Sequence, residues 1–136
     1  MEKTKVLIVT NSLREKCENI LKANNFEVYS PGDPKVALIW TKPGPDIIIT
    51  EMPRHDAVAF AKQLREAGYE GLVFLVLDQK SIFDQETINE KFKLDCMIYH
   101  ITGVFDINTT PEKISEGLIK TLRIKSNPAY LSFSLN

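Results

Sequence analysis

The stretch Pro45-Asp46-Ile47-Ile48-Ile49-Thr50-Glu51 decides how this chain is read. Three consecutive isoleucines cannot alternate between core and solvent, so a strand built on them must be covered on both faces. Strands of that kind sit in the middle of parallel sheets. Pro45 before the run and Met52-Pro53 after it act as boundaries, which predicts a central strand over Asp46 to Thr50.

The same logic repeats on either side. Lys5 to Val9 is a short, β-branched apolar run that stops at Thr10-Asn11-Ser12, where Ser12 is suited to cap a helix. Leu13, Cys17, Ile20 and Leu21 then fall on one helical stripe, and Asn24-Asn25 offers a left-handed stop. Phe26 to Tyr29 reads as a second strand. Pro34 leads a brief helix with Val36, Ala37 and Trp40 on one face, closed by Lys42-Pro43-Gly44-Pro45.

Beyond the isoleucines, Asp56 is the expected N-cap of a helix whose inward residues are Ala57, Phe60, Ala61 and Leu64, with Gly68 as its stop. Leu72 to Leu77 is a second fully apolar strand. The polar segment from Gln79 to Lys93 has only Ile82, Phe83, Ile88 and Phe92 to pack, which predicts a short fourth helix, and Cys96 to Ile101 is expected to be the fifth strand. Thr110-Pro111-Glu112 starts the last helix, with Ile114, Leu118, Ile119 and Leu122 inward. Five strands alternating with five helical stretches make an α/β (βα)5 chain, a doubly wound parallel sheet with helices on both faces. A binding site in such a sheet lies at the carboxyl ends of the strands. Here those ends are expected at Thr10-Asn11-Ser12, Glu51 to His55, Asp78 to Lys80 and Thr102 to Val104.

Composition narrows the function. The chain has 136 residues, enough for one core, and 17 basic against 18 acidic residues, which leaves no electrostatic footprint for nucleic acid or an anionic membrane. The apolar N-terminal run is too short for a signal peptide or a membrane span, so a cytoplasmic location is expected. Cys17 and Cys96 each sit among apolar neighbours and read as buried, reduced thiols. His55 and His100 lie in no metal-binding spacing. The first loop lacks glycine, which argues against a nucleotide or flavin phosphate site, and no cofactor is expected.

The chain resembles the receiver domain of the response-regulator family over about residues 4 to 124. The resemblance is carried by Lys5-Val6-Leu7-Ile8-Val9, by Pro45 to Glu51 before Met52-Pro53, by the apolar fourth strand and by Tyr99. It implies a flavodoxin-like strand order of 2-1-3-4-5. It also implies a place where working receivers keep two acids after the first strand, a phosphoacceptor aspartate after the third, a hydroxyl after the fourth and a lysine after the fifth. Position by position, the two acids fall on Thr10 and Asn11, the phosphoacceptor on Glu51, the hydroxyl near Asp78 and the lysine near Thr102. Magnesium is a hard ion that takes carboxylate and other oxygen ligands in near-octahedral geometry, and uncharged Thr10 and Asn11 supply none of that charge. Glu51 carries one methylene more than aspartate, which displaces its carboxylate from in-line geometry.

The resemblance with these departures implies a degenerate phosphoacceptor pocket of Thr10, Asn11, Glu51, Asp78 and Thr102, with no catalytic, cofactor-binding or metal-ligating residue. Glu51 reads either as a solvated strand end or as a fixed imitation of a phosphorylated side chain. The expected role is a non-enzymatic signalling module that docks another signalling protein, with a homodimer as an open alternative. By analogy the partner surface joins the fourth helix, fifth strand and fifth helix, with Tyr99 at the position of a switch aromatic. An atypical phospho-accepting receiver, a small-ligand sensor and a scaffold are the rival roles. Residues 1–125 are expected to form the domain, and residues 126–136 a tail in which Leu131, Phe133 and Leu135 alternate with serines as an additional strand or interaction segment would.

Overall fold

The computed structural model describes residues 3–30, 33–40, 44–77 and 86–125, and the alternation of strand and helix runs through them. In chain order the elements are β1 (Thr4–Ile8), α1 (Asn11–Ala23), β2 (Phe26–Tyr29), α2 (Pro34–Ile39) and β3 (Ile47–Glu51). They continue with α3 (Arg54–Glu66), β4 (Leu72–Leu77), α4 (Glu86–Ile98), β5 (Gly103–Asp106) and α5 (Pro111–Lys125). Every pairing is parallel and the strands lie in the order β2-β1-β3-β4-β5, the doubly wound, flavodoxin-like arrangement. The 126–136 segment and Asp78 lie outside the described residues.

β3 is the axis of the sheet. Ile47, Ile48 and Ile49 pair with Val6, Leu7 and Ile8 on one side and with Leu72, Val73 and Phe74 on the other. None of the three isoleucines is more than 1% exposed, as their uninterrupted run requires. Side-chain alternation then divides the core. Val6, Ile8, Ile47, Ile49 and Phe74 pack against Leu13, Cys17 and Leu21 of α1 and Ile114 and Leu118 of α5. Leu7, Val9, Ile48, Val73 and Leu75 pack against Ala37 of α2, Ala57, Phe60 and Leu64 of α3, and Phe92 of α4.

The helix ends show local chemistry at work. Asn25 (φ 68°) and Gly68 (φ 96°) take the left-handed conformations that turn the chain after α1 and α3. The Asp33 carboxylate accepts the Lys35 amide at 2.9 Å ahead of Pro34 in the first turn of α2. Two expected caps differ. α1 starts at Asn11, two residues earlier than a cap at Ser12 predicts, with Thr10 extended at the cap position, and the Ser12 hydroxyl is engaged by Glu51. α3 starts at Arg54 behind Pro53, whose fixed φ sets the entry angle, and Asp56 falls within the first turn, where its negative charge still favours the helix.

The larger correction concerns the fifth strand. Cys96 to Ile101 is not a strand: α4 continues to Ile98, Tyr99 and His100 form a turn with His100 at φ 52°, and β5 occupies Gly103–Asp106. Phe92, Cys96 and Tyr99 recur at i, i+4 and i+7 and all face the α3 side of the core, so helical periodicity governs a run that looks uniformly apolar.

Candidate functional site

At the carboxyl end of the sheet the backbone of β1 is tied to β3 by Val9 N donating to Ile49 O at 3.1 Å. This register sets Thr10 beside Glu51. Glu51 closes β3, half-buried, and its Oε2 accepts the Ser12 hydroxyl at 2.7 Å across the β1–α1 turn. Thr10 is part-buried, and its Oγ1 has no partner among the described residues. Asn11 opens α1 on the same turn. Cys17 of α1 lies in the core, its thiol pushed up from its ordinary value by burial first, against the opposing charge of Lys16, with the Glu51 and Glu112 carboxylates adding to the shift. Among the described residues the crevice therefore brings together Thr10, Ser12 and Glu51: two hydroxyls and one carboxylate.

Thr102 does not belong to this crevice. It precedes β5 at the amino end of the sheet, where its amide donates to Val73 O at 2.7 Å and its Oγ1 accepts the Val73 amide at 3.1 Å. The displaced fifth strand is the reason, since the residue that leaves β5 at the carboxyl end is Ile107, whose amide donates to Leu77 O at 2.8 Å. Ile107 supplies no cation. Tyr99 moves for the same cause: it lies after α4, half-buried against the α3 layer, and not within β5.

Sequence reasoning also missed Asp106. It ends β5 at the carboxyl rim, but its Oδ1 accepts the Asn108 amide at 2.8 Å. Two strand spacings, about 10 Å, separate it from the line of Glu51. Among the described residues no group of three or more His, Cys, Asp or Glu side chains is arranged to hold a metal ion. Among the described residues one carboxylate with two hydroxyls falls short of the oxygen set that magnesium takes, so these residues do not by themselves fit the ion that the resemblance would place here.

The amino end of the sheet is built differently. The Arg65 guanidinium, half-buried, donates to Tyr99 O (2.9 Å), Tyr69 O (2.8 Å), Gly71 O (2.9 Å) and His100 O (2.8 Å). It thereby joins the end of α3 to the carbonyls where α4 stops, groups a helix end leaves without partners. Tyr69, 2% exposed, donates its hydroxyl to Pro45 O at 2.8 Å. Its ring fits because Gly44 and Gly71 have no side chain: a β-carbon at either would press into the Tyr69 ring or hydroxyl. A cavity of about 370 Å³ bordered by Arg65, His100 and Thr102 opens beside this knot. No sequence motif announces it, because its parts come from three separate turns.

α4 is the unusual surface. Leu94, Met97 and Ile98 are 56%, 67% and 60% exposed, and they project from the side of the helix opposite Phe92 and Cys96. Val104 on the edge strand β5 is also exposed.

No protein-family model and no curated protein sequence matches the chain. Solved structures do. A response regulator from Thermotoga maritima superposes with a TM-score of 0.69 at 10% identity, covering 89% of this chain and 98% of that one. The N-terminal domain of a response regulator/sensory box/GGDEF 3-domain protein from Carboxydothermus hydrogenoformans gives 0.63 at 19% identity, covering 89% and 95%. The C-terminal part of E. coli RcsC, a linker region with a phosphoreceiver domain, gives 0.67 at 17% identity, covering 90% of this chain and 47% of that one. At such identities the likeness concerns the fold, and the fold is that of response-regulator receivers. No helix among the described residues is long and apolar enough to cross a membrane.

Proposed function

We propose that the chain is a non-catalytic, phosphorylation-independent signalling module that uses a receiver-like fold to dock another protein. The observation that carries this reading is the outward face of α4. Leu94, Met97 and Ile98 are all more than half exposed on a helix whose opposite face already serves the core. A helix that is apolar on both sides is normally covered on both, and clustered exposed apolar side chains mark interaction surfaces. The docking surface is α4 together with the exposed Val104 of β5. This replaces Tyr99, which faces inward, as the centre of the expected surface.

The crevice supports the second half of the reading. Acids are replaced by Thr10 and by the Asn11 position, Glu51 stands in for the phosphoacceptor, and Ile107 follows β5 where a lysine would neutralise a phosphoryl group. Glu51 has its partner in Ser12, a hydroxyl on the first turn of α1, and works as a tie between β3 and α1. Two experiments test the proposal. Incubation with magnesium and acetyl phosphate followed by intact-mass measurement is expected to leave the mass unchanged, and a stable adduct of one phosphoryl group would establish the phospho-accepting alternative. Affinity capture from native lysate with the protein and with Met97→Glu side by side is expected to recover a protein that the variant loses. Recovery of the same proteins by both would remove α4 as the docking surface.

A further inference from the structure

The sheet has two unequal edges. β2 carries the exposed Glu27, a charge of the kind that keeps an edge strand from pairing. β5 carries no charge before Asp106, and among the described residues no strand pairs with its outer side. The Thr102 amide donates inward to Val73 O, so by alternation Gly103 and Phe105 turn their backbone groups outward. Val104, aligned with Leu75, faces the layer of α3 and α4 and is 37% exposed, as is Ile107. Beyond Lys125, the end of α5, the sequence runs Ser126-Asn127-Pro128-Ala129-Tyr130-Leu131-Ser132-Phe133-Ser134-Leu135. Leu131, Phe133 and Leu135 recur with the period of two that gives a strand one apolar side.

We infer that this segment of one copy adds as a strand to the β5 edge of a second copy, and that the exchange is reciprocal, giving a two-fold dimer. Handedness argues against the same pairing within one chain. The steps from β3 to β4 and from β4 to β5 place α3 and α4 on one face of the sheet, whereas α5 lies with α1 on the other. A parallel strand reached through α5 and laid beyond β5 would therefore close a left-handed crossover, and about 98% of such connections are right-handed. Antiparallel pairing would require the segment to return first to the carboxyl end of the sheet. The fifteen residues of α5 carry the chain about 22 Å away from that end. Ser126 to Leu131 span at most about 21 Å drawn straight, too little to climb back and also step from the helix layer onto the sheet. A second copy meets neither restriction. In the pairing Leu131, Phe133 and Leu135 lie on the side of Val104, and Ser132 and Ser134 on the side of Phe105. Backbone bonds to Gly103 and Phe105 supply affinity, and the apolar side chains fix the register. The exchange does not rest on the outward face of α4 as a docking surface.

The test is sedimentation equilibrium of the full chain over a concentration series, where the wild type is expected to reach the mass of two chains. Phe133→Glu, which puts a charge on the apolar side of the segment, is expected to weaken association at least about tenfold, and Ser132→Glu, on the other side, to retain it. Thermal midpoints that match at concentrations where the wild type is a single chain show that both variants fold. Met97→Glu, which probes the face of α4, is expected to dimerise as the wild type does. A second measurement locates the contact: in a chain carrying both Val104→Cys and Phe133→Cys, mild oxidation is expected to join position 104 of one copy to position 133 of the other. A single-chain mass at every concentration, a dimer undiminished by Phe133→Glu, equal weakening by Ser132→Glu, a dimer lost with Met97→Glu, or a bridge between 104 and 133 within one chain would each overturn the exchange.

Discussion

α3 and α4 are helices of equal length on the same face of the sheet, yet they spend their apolar residues differently. In α3 the large apolar Phe60 and Leu64 point inward with Ala57 and Ala61, while His55, Asp56, Lys62 and Glu66 face water. α4 gives the core Phe92, with Cys96 partly buried, and turns Leu94, Met97 and Ile98 outward. The first pattern is explained by the chain's own core. The second is not, and it is this outward apolar face on which the proposed docking role of α4 rests.

The contrast can be broken by substitution, beginning where the loss should be greatest. Leu64→Ala removes a fully buried side chain from α3 and is expected to lower unfolding free energy by about 3 kcal/mol in urea denaturation. Arg65→Ala strips four carbonyls of their donor and should cost about 2 kcal/mol, with Arg65→Lys recovering only part because an ammonium cannot reproduce the planar fork. A loss from Arg65→Ala accompanied by faster amide exchange in α4 would sharpen the picture of α4 as a helix anchored at its end. At the small end, Met97→Ser should change stability by no more than about 0.5 kcal/mol. If it destabilised the chain as Leu64→Ala does, the outward face of α4 would be part of the fold and the comparison would fail.

Alkaline pH offers a further test. Burial, with Asp95 adding repulsion, pushes the Cys96 thiol from an ordinary 9.0 up to about 11. Burial first, and Asp46 after it, moves the Tyr69 hydroxyl in the same direction, against the opposing charge of Arg65. The native state holds these protons more tightly than the unfolded chain does. The stability they contribute is therefore complete below pH 9 and declines as pH climbs from there through 11. A thermal midpoint that falls over this window in the wild type and falls less in Cys96→Ala is the expected result.

Much of the architecture was legible because buried parallel strands leave an unmistakable record: the isoleucine triplet and Leu72 to Leu77 carry no polar residue to mislead. Phe26–Tyr29 and Leu72–Leu77 have the expected bounds, as do the inward residues of α3. Legibility failed at Cys96 to Ile101, where six residues are too few to separate a period of two from one of 3.6 without the neighbouring Phe92. That single misplacement carried Tyr99 and Thr102 with it. In the crevice Glu51 could be found from its place after the isoleucines, but its tie to Ser12 could not, because 39 residues separate them and only the register of β1 on β3 brings them together. The Arg65 knot was hidden for the same reason, being made of backbone carbonyls that any sequence possesses.

Tyr69, Gly44 and Gly71 have a consequence for how such a chain can change over generations. Because the ring occupies the space two side chains would need, neither glycine can acquire a β-carbon while the tyrosine remains. Shrinking the tyrosine first would open a hole and leave the Pro45 carbonyl without its donor. Each single step is unfavourable, so these three positions should be inherited as one trait, and lineages sharing this corner should keep all of it or none.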